Sequence, residues 1–525
     1  MARVLFIENH DSFSWNVVDA LPFSRSEIEL ISASQALSAL DRADVVVMGP
    51  GPTDPIRAGL VELVGEVARR RLPFLGVCLG HQALGLAFGS TLVRSTPSHG
   101  KRATAHFTES RSFPAGDFEV MRYHSLSLTD VTAPLKVVAR LSDGTVMAVE
   151  HESLPMAGIQ FHADSFGTPR GRELIAAFFN RDPLSLRQGG EGLGEGPTPA
   201  PSPLKLSSLQ TQDTFALLAP GFSKHGHWTL FEESPDQQTA LWYATAEGKP
   251  QRLTGRARAV DLIFDVPFTP LKVDLDETGF LEGVTKIREH IAAGDVYQVN
   301  LTLRATLTCE SGAHLLSAFC RKAVPRFAAW VKSPQLELVS ASPELLVETN
   351  DRLIHVEPMK GTAPPSERLW LERSEKDRAE LAMITDLLRD DLHRLCEPNS
   401  VHVVNDRRMI ELPYVVQAVA DVEGELPAQT TLEQVLAAVH PGGSVTGAPR
   451  EAALQHIAAL EPTARGAYCG ALGLEENSSA RVALLIRTAE RIGSAWRYGV
   501  GSGITWDSDP HAELEEVRLK LGALR

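Results

Sequence analysis

FLGVCLGHQALGLAFG, residues Phe74–Gly89, is the stretch that decides the fold of the first third of the chain. An apolar run enters Gly-Val-Cys-Leu-Gly, and a pattern of helical spacing follows. Small residues permit a sharp turn, and a strand–turn–helix unit of this kind lifts a nucleophile clear of a sheet. A helix start also favours the thiolate form, which marks Cys78 as a candidate nucleophile rather than one more small buried thiol. Working outward, Val4–Ile7 and Val45–Met48 repeat the short apolar run closed by a polar or glycine-rich turn. The alternation of such runs with helical patterns predicts an α/β domain with a mainly parallel sheet, its functional residues at the strands' carboxyl ends. His162, in GIQFHADS, follows another apolar run and precedes Asp164 by two positions. A Cys–His–acid set is the route to acyl transfer from an amide, although a histidine beside a strand can equally be structural.

Arg187–Pro203 reads RQGGEGLGEGPTPAPSP. Its Gly, Pro and Glu content cannot bury enough apolar surface to offset the entropy of ordering. It predicts a linker over 187–205 between domains at 1–186 and 206–525. In the second domain, Leu336–Ser340 and Leu345–Glu348 read as strands and Leu369–Leu395 carries apolar residues at helical spacing, which predicts a large α+β domain. The 525 residues, 43 % hydrophobic and 22 % charged, suit a soluble globular protein. A net charge of -15 argues against a nucleic-acid partner. No apolar run approaches the roughly 20 residues of a membrane span, and the first residues lack a signal-peptide pattern. Five cysteines without a CxxC suggest neither zinc nor a disulfide framework and fit a reducing cytoplasm.

Four motifs carry chemistry beyond the linker. GVGSGITWDSDP (Gly499–Pro510) could bring backbone N–H groups to an anion, or simply turn the chain from strand to helix. HAELEEVRLK (His511–Lys520) places Glu513 and Glu516 on one helix face. With a further carboxylate from Glu380 in DRAEL (Asp377–Leu381) they could suit Mg²⁺; otherwise they are a solvated acidic face. VEPMKGTAPP (Val356–Pro365) sets Lys360 between an apolar strand and a Gly-Thr turn, where a lysine is a surface charge or, beside a pocket, a nucleophile.

Taken together, the motifs resemble known families. IENHDSFSWN (Ile7–Asn16), MGPGPTDP (Met48–Pro55), GVCLGHQ, SHGK (Ser98–Lys101), YHSL (Tyr123–Leu126), MAVEHESLP and GIQFH resemble the class I, triad glutamine amidotransferases paired with chorismate enzymes. GDVYQVNLT (Gly294–Thr302), SASPELLVE (Ser340–Glu348), PMKGT, EKDRAELAMITDLLRDDL (Glu375–Leu392), HPGGSVTGAPR (His440–Arg450), AYCGALG (Ala467–Gly473), IRT and GVGSGITWDSDP resemble, in order and spacing, the chorismate-utilising enzymes. The first resemblance implies Cys78 as nucleophile on glutamine, His162 as base and acid, and Asp164 as its partner. It also implies an oxyanion site of N–H groups at Leu79 and in the Gly49–Gly51 loop, with Gln82 and Ser125 holding glutamine. The second implies Mg²⁺ on Glu380, Glu513 and Glu516, and chorismate carboxylates held by Thr446, Tyr468, Arg487, Gly501 and Gly503. It further implies Glu344 as general acid/base and Lys360 as the nucleophile of the aminodeoxychorismate-forming branch.

That branch aminates chorismate to 4-amino-4-deoxychorismate and hands its product to a lyase. Anthranilate-type chemistry and a non-catalytic scaffold are the other readings. Lys360 argues against the first of these, and the presence of Cys78, His162, Lys360, Glu380, Glu513 and Glu516 against the second. Departures from the family pattern are Ala163-Asp164 for Pro-Glu, Gln417 for His, Asp390 for Asn, Ala363 and Pro365 for arginines, and Arg450 for lysine.

Overall fold

Buried apolar strands pair in parallel to make the spine of the first half: β1 (Val4–Glu8), then α1 (Ser14–Ala20), β2 (Ile28–Ser32), β3 (Val45–Met48) and β4 (Phe74–Val77), which runs into α2 (Leu79–Ala87). Long β5 (Thr91–Phe107) and β6 (Gly116–Thr129) form an antiparallel ribbon, followed by β7 (Leu135–Arg140), β8 (Val146–His151) and β9 (Met156–Ile159). The sheet order is β2-β1-β3-β4-β9-β8-β7-β5-β6, parallel from β2 to β9 and antiparallel beyond. The inner parallel strands β3, β4 and β9 are apolar because both faces are covered, whereas β1 ends in Glu8 and edge strand β2 carries Glu29 and Ser32. Val4 and Phe6 join one core, while Leu5 and Ile7 join the other.

The computed structural model describes residues 3–179, 202–210, 214–224, 227–234, 239–266, 271–275, 277–412 and 415–522. Most of the expected linker therefore lies outside the described residues. Its last four positions do not: Ser202–Lys205 is a strand, paired in parallel with Val260–Ile263, so the second sheet begins inside the expected linker.

Among the described residues, nineteen strands form the second half's hydrogen-bonded system. The strands expected from the sequence occur at Glu337–Ser342 and Leu345–Asn350. The expected helical stretch from Leu369 is two helices, because the Ser374 side chain caps the second by accepting from the Asp377 N–H. The elements that build the site are β10 (Gln298–Thr308), β11 (Met359–Ala363), α3 (Glu375–Leu395), β12 (Ala495–Ile504) and α4 (Pro510–Gly522). β12 pairs antiparallel with β10, setting Gly501 opposite Thr302 and Gly503 opposite Asn300. Among the described residues no helix is long and apolar enough to cross a membrane.

The two halves share a core. Phe13, Met121 and Tyr123 of the first pack with Tyr297, Met383 and Leu387 of the second. α3 is one of the elements that join them, through α1 and β5. Asp390 caps α1 from outside, accepting from the N–H groups of Trp15 (2.6 Å) and Asn16 (3.2 Å), donors that a helix start leaves unpaired.

Candidate active sites

Cys78 occupies φ +51°, ψ −98°, a conformation that costs an L-residue energy and persists only where its surroundings impose it. Here β4 and β9 impose it, since the Cys78 N–H donates to the Ile159 carbonyl at 2.8 Å. Leu79 opens α2, whose first N–H groups have no intrahelical acceptor and face the turn. Gly51 packs over it: a Cβ there would come within 2.7 Å of the Leu79 side chain. Gly49 has to be removed from the expected oxyanion donors, because its N–H is bonded to the Ile7 carbonyl at 3.0 Å.

His162 is fully buried, and its Nδ1 stands 3.3 Å from Asp164 Oδ1. Burial disfavours the imidazolium, but the Asp164 charge and the nearby Cys78 sulfur outweigh it and hold His162 well above its usual range. The rings of Phe13 and Tyr123 meet the imidazole edge-on at 5.3 and 5.1 Å and fix its plane. Gln82 donates to the Leu126 carbonyl and to Gln160, whose own amide lies 3.6 Å from Cys78 Sγ. Ser125, expected to hold glutamine, is committed elsewhere. Its hydroxyl donates to the Ile291 carbonyl of the other half at 2.7 Å and lies 3.0 Å from His99.

The second site centres on Lys360, whose Nζ donates to the Ser444 carbonyl at 3.2 Å. The Ser444 hydroxyl donates in turn to Glu344 at 2.8 Å. Gly503 admits the lysine, since a Cβ there would lie 2.9 Å from Lys360 Nζ and 2.4 Å from the Gln298 amide nitrogen. Burial raises the Glu344 carboxyl; Ser444 and Lys360 oppose it, and the balance is about 7. A carboxyl poised near neutrality can deliver or accept a proton at working pH.

Of the expected substrate contacts, Tyr468 is buried beneath Arg304, 5.3 Å from its guanidinium, against glycine backbone at Gly499. Thr446 turns its hydroxyl onto the Gly442 carbonyl, and the Gly501 carbonyl receives Lys520 at 2.7 Å. Arg487 lies on the link before Thr488 with φ +50°.

The three expected metal carboxylates do not converge on one point. Lys376, on α3, reaches Glu513 at 3.0 Å and Glu380 at 3.8 Å, while Glu516 pairs with Lys520 at 2.8 Å. Among the described residues no group of three or more His, Cys, Asp or Glu is placed to hold an ion. The donor chemistry nevertheless fits a hard divalent cation. Three carboxylates lie on two adjoining helices, a side-chain ammonium already bridges two of them, and burial leaves the Glu380 carboxyl at about 7 despite Lys360 and Lys376. Serines 502 and 508 both donate to Glu513.

Residues 205–525 match the family described as chorismate binding enzyme. The chain belongs to that family. Residues 5–181 match the class-I glutamine amidotransferase family, so a chorismate-binding half follows an amidotransferase half in one chain. Over 99 % of its length the chain is 28 % identical to an aminodeoxychorismate synthase of Streptomyces griseus, of which it covers 95 %. Over 47 % of its length it is 37 % identical to an anthranilate synthase component 1 of Haloarcula marismortui, of which it covers 51 %. The structure is similar to that of the menaquinone-specific isochorismate synthase of Escherichia coli, with a TM-score of 0.52 and 20 % identity over 61 % of this chain and 90 % of that one, which identifies the fold of the chorismate-binding half.

Sequence reading missed the residues between the sites. Tyr297 donates to Asp11 and stacks on His99 and Phe13, and Asp386 reaches back to Tyr123. Lys376 was legible only as one more charge four positions before Glu380.

Proposed function

We propose that the chain catalyses glutamine-dependent amination of chorismate to 4-amino-4-deoxychorismate. The observation that carries this reading is the Lys360–Ser444–Glu344 chain beside Gly503. It supplies an amine nucleophile and a proton donor within one small space. Cys78 attacks the glutamine amide carbon with its proton already lying on His162, and His162 passes that proton to the departing nitrogen. Water then hydrolyses the thioester to glutamate and restores the proton to the Cys78–His162 pair. N–H groups at Leu79 and Gly51 would receive the oxyanion.

In the second site the Lys360 amine adds to C2 of chorismate, both ring double bonds shift toward C4, and the 4-hydroxyl leaves as water with the proton of Glu344. Ammonia then adds at C4, the double bonds return and lysine departs from C2 as the free amine, while the ammonium formed at C4 gives a proton to the Glu344 carboxylate, which regenerates both groups. Glu380, Glu513 and Glu516 would hold Mg²⁺, which when bound supplies positive charge for the substrate carboxylate. Thr446, Tyr468, Arg487, Gly501 and Gly503 would line the substrate. Solubility in the cytoplasm and transfer of the product to a lyase belong to the same reading.

The test is product analysis after incubating the full chain with chorismate, Mg²⁺ and glutamine, with and without aminodeoxychorismate lyase. p-Aminobenzoate formed only with the lyase supports the proposal, and anthranilate formed without it refutes it. The 37 % identity to an anthranilate synthase component favours that second reading; it requires Lys360 to be dispensable.

A further inference from the structure

The triad acid of the amidotransferase half has little to hold it. Asp164 is a short side chain, and its Oδ1 has no hydrogen-bond partner. Its 3.3 Å approach to His162 is the contact through which it favours the charged imidazole. With so short a reach, the position of the Asp164 backbone decides whether the contact is made. That backbone is gripped from the other half of the molecule. Arg389 on α3 donates to the Asp164 carbonyl at 3.2 Å, and the next residues, Ser165 (O–H) and Phe166 (N–H, 3.4 Å), both donate to Asp386.

Asp386 is 1 % exposed and also accepts from the Tyr123 hydroxyl at 2.8 Å and from Arg389 at 2.6 Å. Tyr123 is one of the two rings that set the imidazole plane. One carboxylate therefore touches both sides of the histidine's support, the segment carrying its acid and the ring against its edge. Such outer partners typically matter by about 10-fold to 100-fold when removed. Asp386 also lies six residues after Glu380, about 9 Å along the same helix, so the brace belongs to the element that serves the chorismate-binding half.

We infer that Asp386, with Arg389, is a positioning residue for the glutaminase triad: α3 braces Asp164–Phe166 and Tyr123 so that Asp164 stays aimed at His162. The inference rests on the glutaminase reading of Cys78 and His162. It makes glutamine hydrolysis depend on a residue of the chorismate-binding half that touches neither glutamine nor the thiol.

The experiment measures glutamate release from glutamine without chorismate, and separately ammonium-driven amination, in full-length wild type, Asp386→Ala, Asp386→Asn and Arg389→Met. The brace predicts that Asp386→Ala lowers kcat for glutamate release about 10-fold or more with KM for glutamine little changed. The limb of the pH profile governed by His162 should move to lower pH, and ammonium-driven turnover should persist. Asp386→Asn, which keeps the shape and one acceptor, should recover part of the loss. Arg389→Met, which removes the grip on the Asp164 carbonyl and the ion pair to Asp386, should shift the same limb if Asp386→Ala fails to fold. Wild-type kcat and an unmoved pH profile in both folded variants would overturn the brace. Absence of glutamate release from wild type would overturn the glutaminase reading and the brace with it, an outcome distinct from the first.

Discussion

The Tyr297 hydroxyl donates to Asp11 at 2.6 Å, so a side chain of the chorismate-binding half closes a buried hydrogen bond inside the amidotransferase half. The Tyr297 ring stacks on Phe13 (5.8 Å) and on His99 (4.9 Å). The same ring helps line a cavity of about 20 Å³ with His99, Lys376, Glu380, Met383 and Trp506. Tyr297 thus touches both Phe13, one of the rings packed on His162, and a small cavity beside Glu380.

Replacing that ring should uncouple the two reactions. Tyr297→Ala is expected to raise the glutamate released per amination above one while ammonium-driven turnover persists. Tyr297→Phe keeps the ring but leaves Asp11 short of a donor. It should hold the ratio near one and cost about 1–3 kcal/mol of stability by denaturation. Asp11, raised to about 6 by burial with His162 and Tyr297 pulling it down, should then titrate higher still.

Glu344 should impose a pH dependence of definite sign. Its carboxyl, moved by burial from 4.5 to about 7, is mainly protonated below that value. If it delivers the proton to the leaving hydroxyl, ammonium-driven turnover falls as pH rises through about 7, and Glu344→Gln abolishes turnover. The folded state binds this proton more tightly than the unfolded chain does. Its stabilising contribution is therefore complete below 4.5 and lost as pH rises toward 7. Between those values wild type should lose up to about 3 kcal/mol relative to Glu344→Gln, measured by denaturation at each pH.

Lys376 stands where two carboxylates need a cation, and this is testable without any assay of turnover. Lys376→Met should destabilise the metal-free protein by about 1–3 kcal/mol. The figure is reduced from that of a buried pair because the lysine side chain is 40 % exposed. Added Mg²⁺ should raise the Tm of the variant more than that of wild type. Equal Mg²⁺ shifts in both would show that Lys376 and the ion do not share a position.

Gly100 makes the docking of the halves sensitive to one methyl group. It has φ +67°, and a Cβ there would lie 2.1 Å from the Ala379 carbonyl, one residue before Glu380. Neither backbone can yield easily, so Gly100→Ala should cost about 2 kcal/mol or more. Glutamine-driven turnover should fall further than ammonium-driven turnover, which a side-by-side assay checks.

The strand–Cys78–helix unit was legible because a strand buried on both faces must be apolar and a sharp turn must be small; β3 and β4 lie where the sequence puts them. Lys360 and Glu344 were legible through their motifs, and the structure joins them through Ser444, which no spacing announced. The pairs Tyr297–Asp11 and Asp386–Tyr123 were not legible, because contacts across hundreds of residues leave no local periodicity. Asp390 stood out as a departure from the family's Asn, and its work at the start of α1 appears only once the halves are packed. Gly49 and Ser125 were misread for a common reason: a sequence shows which groups can donate a hydrogen bond, not whether Ile7 or Ile291 has already accepted it.

The most direct test of the proposed chemistry is intact-protein mass spectrometry of Cys78→Ala incubated with chorismate and Mg²⁺ in the absence of ammonium, followed by peptide mapping. The expected result is an adduct equal in mass to chorismate less one water, located on Lys360 and discharged to 4-amino-4-deoxychorismate when ammonium is added. No adduct at Lys360, together with undiminished amination by Lys360→Ala, would contradict it.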